Sequence, residues 1–261
     1  HQKNCLTKKS NKHPPTMKTP KGFILDRFES PIDGKNCVAI LTMDSTNRKT
    51  GNMAQVWILR DDVNPVDAVA DGSDVSICGD CPHRKNLSTK KRTCYVNVGQ
   101  GPNSVWKAYK RGAYQEDVKW TDKDLFKDKM IRWGAYGDPA ILSPMIVEIL
   151  NYHAKGWTGY THQWREKFAE PFKGIFMASC DNFGDYLDAS AYGWKCFSVA
   201  PVGQIGQGKQ CPATVEGSVA QCVTCRLCDG MKQDIWVEAH GPSRRHVGAM
   251  IQESPREVSQ N

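Results

Sequence analysis

Three cysteines stand at strict three-residue intervals, Cys222, Cys225 and Cys228, in the run QCVTCRLCDG. Cys-x2-Cys-x2-Cys matches the ferredoxin-like part of a cluster motif, and Cys211-Pro212 upstream supplies a fourth thiolate. The same four cysteines suffice for an all-thiolate zinc site, and His240 is a further candidate ligand in either case. Four protein ligands close the coordination sphere, which suits a structural or electron-transferring role rather than Lewis-acid chemistry. A second group reads Cys78-Gly79-Asp80-Cys81, with Cys94 following beyond a basic loop. A tight turn at Gly79-Asp80 points the two thiolates the same way, and His83 would complete a tetrahedral zinc site. Alternatively, three cysteines leave one iron of a [4Fe-4S] cluster open. The spacing permits zinc or [4Fe-4S] at one or both groups. Cys5 and Cys37 stand alone and read as free thiols.

What positions these groups is a rhythm of short apolar runs, each closed by small and polar residues. Met130–Tyr136 stops at Gly137-Asp138-Pro139. Ser143-Pro144 offers an N-cap and an N1 proline for a helix through Leu150 that Gly156 ends. Strands are expected at Trp157–Tyr160, Ile175–Ala178, Lys195–Ala200 and Ile235–Ala239, with helices over Gln163–Glu170 and Asp185–Tyr192 between them. Val38–Met43 and Ala54–Leu59 add earlier strands. Alternation of this kind indicates parallel β/α units. No G-x-G-x-x-G follows a strand, which argues against a dinucleotide-binding domain. The expected fold is therefore α/β, a complete or partial (β/α) barrel over residues 37–250 with Cys-rich metal-binding insertions. A basic arm at residues 1–36 precedes it and a tail at 251–261 follows.

In such barrels the active site lies at the C-terminal ends of the strands. Those ends carry Asp44, Asp138, His162, Cys180, Asp181 and His240. Asp138, Asp181 and His162 are the candidate catalytic residues: one carboxylate to attack or stabilise a reacting carbon, another to move a proton. Tyr136, Tyr160 and Trp164, with Trp133 and Trp194, are close enough to that rim to stack on a base.

The 261 residues carry a formal charge of +7, with 39% hydrophobic and 24% charged residues. That balance excludes a fibrous or wholly disordered chain, and no apolar run approaches the ~20 residues a membrane span needs. The lysine-rich start has no apolar h-region, so no secretory leader is expected. Eleven clustered cysteines suggest metal sites in a reducing, cytoplasmic compartment rather than a disulfide scaffold. Lys8, Lys9 and Lys12 lie in a stretch without an acid before Asp26. Lys90, Lys91, Arg92, Arg244 and Arg245 add basic groups elsewhere. Lysine and arginine near phosphates release condensed counterions, which makes nucleic acid the natural partner.

The segment Phe176-Met177-Ala178 through Asp185–Trp194 to Cys196–Pro201 resembles the late barrel of tRNA-guanine transglycosylases. In that family an acidic helix, a glycine and an apolar strand precede a zinc site of closely spaced cysteines and a histidine. The resemblance, shared with phage relatives that act on DNA, implies exchange of guanine for a 7-deazaguanine through paired aspartates. Here Cys222, Cys225, Cys228 and His240 keep the order, although the spacing is x2/x2 rather than x/x2 and the strand Cys196–Ala200 lacks the family's aspartate. The layout of Cys78, Cys81 and Cys94 with a late cysteine group also resembles radical S-adenosylmethionine enzymes, without their Cys-x3-Cys-x2-Cys. Cys94-Tyr95 resembles a pair in uncharacterised Cys-rich phage proteins, which implies a bacterial host cell. Three functions follow as expectations. The first is a base-exchanging transferase on DNA or RNA with a base or nucleoside as small substrate. The others are an iron-sulfur enzyme using S-adenosylmethionine and a non-catalytic, zinc-stapled nucleic-acid binder.

Overall fold

The computed structural model describes residues 20–116, 123–241 and 243–249. Lys8, Lys9 and Lys12 of the basic stretch, Cys5, and the tail at 251–261 lie outside them. Among the described residues ten strands form two sheets. The first holds β1 (Gly22–Glu29), β2 (Asn36–Thr42), β3 (Ala54–Arg60), β4 (Met130–Tyr136) and β5 (Gly156–Thr158) in that order. The second runs β6 (Tyr160–Thr161), β7 (Met177–Cys180), β8 (Cys196–Ala200), β10 (Ile235–Glu238) and β9 (Lys209–Gln210). β1–β2 and β2–β3 are antiparallel. Every other strand pair is parallel. The fold is thus mixed α/β with two parallel-rich sheets.

Residues 22–29 belong to this fold and not to a basic arm. Phe23, Ile24 and Leu25 are buried, and the strand pairs with β2 from Gly22↔Thr42 to Glu29↔Asn36. Flanking lysines disguise an eight-residue strand. The antiparallel pairing also relocates Asp44. Because β2 runs against β3, its end lies opposite the ends of the parallel strands, and Asp44 bonds Lys129 and Asn52 there.

Helices cover the connections where the capping residues call for them. Ser143 precedes Pro144–His153 as expected. Asn182 caps Phe183–Ala191, its side chain accepting from the Asp185 N–H at 2.8 Å. The helix expected over Gln163–Glu170 is instead a 3-10 segment at Lys167–Phe172 that contains Pro171. Proline lacks the N–H that a longer helix would use. Among the described residues no helix is long and apolar enough to cross a membrane.

The two sheets meet at a single residue. Gly159 separates β5 from β6, donates to the Cys228 carbonyl and accepts from Met177 N–H at 3.0 Å. A Cβ there would stand 2.4 Å from the Phe176 ring and 3.2 Å from Trp133 Cβ, both fully buried. Gly159→Ala is expected to lower unfolding free energy by about 1–3 kcal/mol, the usual cost of overpacking, measured by urea denaturation. An unchanged midpoint would show that the junction can relax.

Candidate functional site

A cavity of about 280 Å³ runs along one face of the parallel strands. Strand alternation selects its lining: Arg132, Gly134 and Tyr136 of β4 face it, as do Phe197 and Val199 of β8, Val237 within β10 and Ala239 just beyond it. In β4 the intervening Trp133 and Ala135 are buried on the other face. Trp133 is fully buried and donates to Asn151 Oδ1 at 2.9 Å. Parity therefore removes Trp133 from the stacking candidates. Trp164 is likewise buried outside the cavity lining, donating to the Ser179 carbonyl under the Arg165 guanidinium. Trp194 is also buried away from the lining. Tyr136 and Tyr160 do line the cavity, the latter tilted against Phe197 with ring centres 4.2 Å apart.

The three candidate catalytic residues converge on this cavity. Gly137, with φ +81°, turns the chain after β4 against Ile58, where a Cβ would meet the Ile58 backbone. Asp138 follows, its N–H held by the Ile77 carbonyl at 2.7 Å. Its Oδ1 accepts from Ala140 N–H at 3.0 Å and its Oδ2 from His162 N–H at 2.8 Å. Burial pushes the Asp138 carboxyl above its usual range, and those backbone bonds, with Thr161 and the His162 charge, only partly offset it.

Asp181 ends β7 directly before the cap residue Asn182. Its N–H is held by Asp185 Oδ2 at 3.0 Å, and Asp185 is paired with Arg165 at 2.8 Å. The side chain meets two imidazoles, His83 Nε2 at 3.0 Å and His162 Nε2 at 3.4 Å from Oδ1. Burial alone would raise the Asp181 carboxyl, but His162 and then His83 outweigh it and leave it well below the usual carboxylate range. Burial likewise lowers His162, while Cys81 and Asp181 more than compensate and hold it well above its ordinary value.

His83, expected only as a partner for the first thiol group, is thus the residue that sequence reasoning left out of the catalytic set. Its Nδ1 meets Thr93 Oγ1 at 2.9 Å, which turns Nε2 toward Asp181. A separation of 98 residues from Asp181 leaves no local signal for that contact.

Cys78, Cys81 and Cys94 line the same cavity. The knuckle turns at Gly79, φ +57°, where the Gln163 side chain packs so closely that a Cβ has no room. Gln163 Nε2 donates to the Cys78 carbonyl and to Asp80 Oδ1. The His83 carbonyl accepts from Cys94 N–H at 2.9 Å, tying the two arms together. Cys81 Sγ is 3.9 Å from His162 Nε2. Burial pushes the Cys78 and Cys94 thiols up.

Cys211, Cys222, Cys225 and Cys228 surround a second, very small cavity with Thr158, the last residue of β5, and Ile235, the first of β10. Cys211 and Cys222 also line the 280 Å³ cavity, whereas Cys225 and Cys228 do not. Arg226, in the left-handed region at φ 55°, reverses the chain after the one-turn helix Cys222–Cys225 and brings Cys228 round. Backbone bonds from Cys222 and Val223 N–H to the Lys49 and Thr50 carbonyls dock the turn beside β3. Burial pushes the Cys228 thiol up to about 12 and raises Cys211 and Cys222 as well. A metal here displaces protons from neutral thiols. Thiols are the donor type that zinc and iron-sulfur clusters take, but among the described residues these four sulfurs are not gathered within 4.8 Å of one another as the His83, His162 and Asp181 ligand atoms are. His240 is not part of this thiol group. The ring packs against Tyr95 at 5.4 Å, exposed, with Nδ1 beside the Glu238 carbonyl.

Of the basic candidates, Lys90, Lys91, Arg244 and Arg245 are exposed. Arg92 turns inward, lining the cavity and donating to the Cys94 and Val96 carbonyls at 3.0 Å. No protein-family model, no curated protein and no solved structure matches this chain.

Proposed function

We propose that this chain is a nucleic-acid base-modifying enzyme that holds one base or nucleoside in the 280 Å³ cavity, within an open (β/α) barrel. The barrel reading is supported by the consecutive parallel pairs from β3 to β10 and by the one-residue break at Gly159. The observation that carries the function is the bridge made by His162. Its backbone N–H binds Asp138 and its ring faces Asp181, so the three polar strand ends meet in one cavity. A cavity near the lower end of the ~300–1,000 Å³ typical of ligand pockets suits a single heterocycle. An extruded base would meet the Tyr136 and Tyr160 rings. Exposed Lys90, Lys91, Arg244 and Arg245 would contact phosphates and position the strand without reading it.

Within this reading the two aspartates divide the work. Both Asp138 oxygens are occupied by backbone N–H groups, so Asp138 is a positioning residue for the His162 segment. Asp181 with His162 and His83 is the reactive centre. The transglycosylase-like pair, one carboxylate on carbon and one moving a proton, is thereby narrowed to one carboxylate with two imidazoles. Cys211, Cys222, Cys225 and Cys228 are the closed metal clasp of the barrel.

The test is the nucleoside composition of DNA and of RNA incubated with the protein and a guanine or 7-deazaguanine donor. Asp181→Asn is expected to lower turnover by a factor of about 10³ or more while keeping wild-type circular dichroism, with some loss of melting temperature because His83 and His162 lose their carboxylate partner. The scale is that of losing a group at the reacting atoms. Asp138→Asn is expected to lower the melting temperature along with turnover, since an amide NH2 faces a donor. Full turnover in Asp181→Asn, or unaltered nucleic acid with the wild-type chain, would overturn the reading.

A second reading is favoured by one observation: Cys78, Cys81 and Cys94 also open onto the cavity. An iron-sulfur cluster there would face the substrate, as a radical S-adenosylmethionine enzyme requires. Iron and acid-labile sulfide in anaerobically purified protein would support it, and zinc alone would remove it.

A further inference from the structure

We propose that His83 Nε2, His162 Nε2 and Asp181 Oδ1 together bind one divalent metal ion of the zinc class, with the remaining coordination position open to the cavity. This site is separate from both thiol groups, and it stands whether or not the reaction is base modification.

The geometry is that of a ligand set. Among the described residues, these three atoms form the group of potential ligands that all lie within 4.8 Å of one another. An ion about 2.0–2.2 Å from each nitrogen and oxygen sets neighbouring ligand atoms roughly 3.0–3.5 Å apart at octahedral to tetrahedral angles. The two separations from Asp181 Oδ1 are 3.0 and 3.4 Å. The imidazole rings stand edge to face at 67°, with centres 5.7 Å apart, so both Nε2 atoms approach the same carboxylate oxygen.

The donor chemistry agrees with the geometry. Two imidazoles and one carboxylate are the ligands of catalytic zinc sites that keep a position for water, and imidazole also suits other late first-row divalent ions. All three residues line the cavity, so the position left by the protein faces it.

The partners behind the ligands are also in place. Metal-binding histidines usually engage the second ring nitrogen elsewhere, which fixes the ring. His83 Nδ1 meets Thr93 Oγ1 at 2.9 Å. The Asp138 carboxylate fixes the His162 backbone, and Asp185, held by Arg165, fixes that of Asp181. Each ligand is anchored from a different element, so the site is rigid before any ion enters. The side chains are only 12%, 19% and 7% exposed for His83, His162 and Asp181, which shields an ion from bulk water.

Cys81, 3.9 Å from His162 Nε2, offers a rival arrangement in which His162 completes the thiol trio. The test separates the two. The full chain is stripped with chelator and titrated with Co2+, whose bonds to thiolates give an intense sulfur-to-cobalt charge-transfer band that nitrogen and oxygen ligands do not. Cobalt per chain is counted in parallel. His83→Ala, His83→Gln and Asp181→Asn are each expected to lose one cobalt per chain and to leave the thiolate band intact. Thr93→Val, which removes the hydroxyl that meets His83 Nδ1, is expected to weaken that cobalt by ~10–100-fold. Three results would overturn the proposal. The wild-type chain binds no cobalt beyond the thiolate-bound ions. The His83 and Asp181 variants with wild-type circular dichroism keep the full count. Or the cobalt they lose carries the thiolate band with it. Because no substrate is used, failure here leaves the base-modification reading to its own assay.

Discussion

Cys222→Ser combined with Cys225→Ser is expected to remove one metal equivalent per chain and to lower unfolding free energy by more than ~4 kcal/mol. Structural zinc carries about 10–16 kcal/mol of apparent binding free energy at neutral pH in small domains, and folding draws on that binding. The stretch around this group has little apolar burial to replace it. Its own cluster has only Met177, Cys228 and Ile235 fully inside, with Tyr160, Phe197, Cys211 and Leu227 half-covered. Without the ion, one buried and three half-buried thiols remain as weak donors beside Arg132, whose guanidinium bears on Cys222. Hydrogen exchange locates the effect. The Cys211 N–H, bonded to the Trp236 carbonyl at 2.8 Å, and the Cys222 and Val223 N–H groups should lose protection first. Wild-type metal content and an unchanged melting curve in the double variant would refute the clasp.

Trp133→Ala is expected to cost about 3–5 kcal/mol, the range for removing a large aromatic from a core, with a further ~1–3 kcal/mol for the polar group it strands. Trp133 is among the largest fully buried side chains, with ring centres 6.2 Å from Phe176 across the sheet junction. Asn151 is buried and its amide nitrogen already lacks a partner, so losing the indole N–H leaves the whole side chain unsatisfied. Trp133→Phe separates the two contributions: it keeps the ring and loses only the bond. Urea denaturation of both variants measures the difference. A loss below ~2 kcal/mol for the alanine would mean that the junction collapses onto the cavity.

The parts of this molecule legible in the sequence are those with local signals. Apolar runs closed by Gly137-Asp138, His162, Cys180-Asp181 and His240 mark β4, β6, β7 and β10 because a parallel strand must turn at its end. Cys-x2-Cys spacing marks the turns at Gly79 and at Cys222–Cys225 for the same reason, since a short turn is a local feature. Strand direction has no such local mark. Asp44 follows an apolar run just as Asp138 does, yet β2 is antiparallel and carries it to the far end. Parity within a strand separates Tyr136 from Trp133, and that depends on which face the cavity takes. Residues 22–29 were hidden by the lysines around them. The His83–Asp181 contact depends on a loop and a strand end that only the finished fold brings together.

The docking of the second thiol group beside β3 also dictates an order of events during synthesis. The Gln221 side chain reaches the Arg48 carbonyl across 173 residues of chain. At translation rates of about 5–20 residues per second, roughly 9–35 s pass between the emergence of these two partners. Through that interval β1, β2 and β3 are able to pair, because their antiparallel connections are short, while the edge that receives Cys222 stays open. Metal uptake by Cys211, Cys222, Cys225 and Cys228, as proposed above, would then be a terminal step that closes on a scaffold already made.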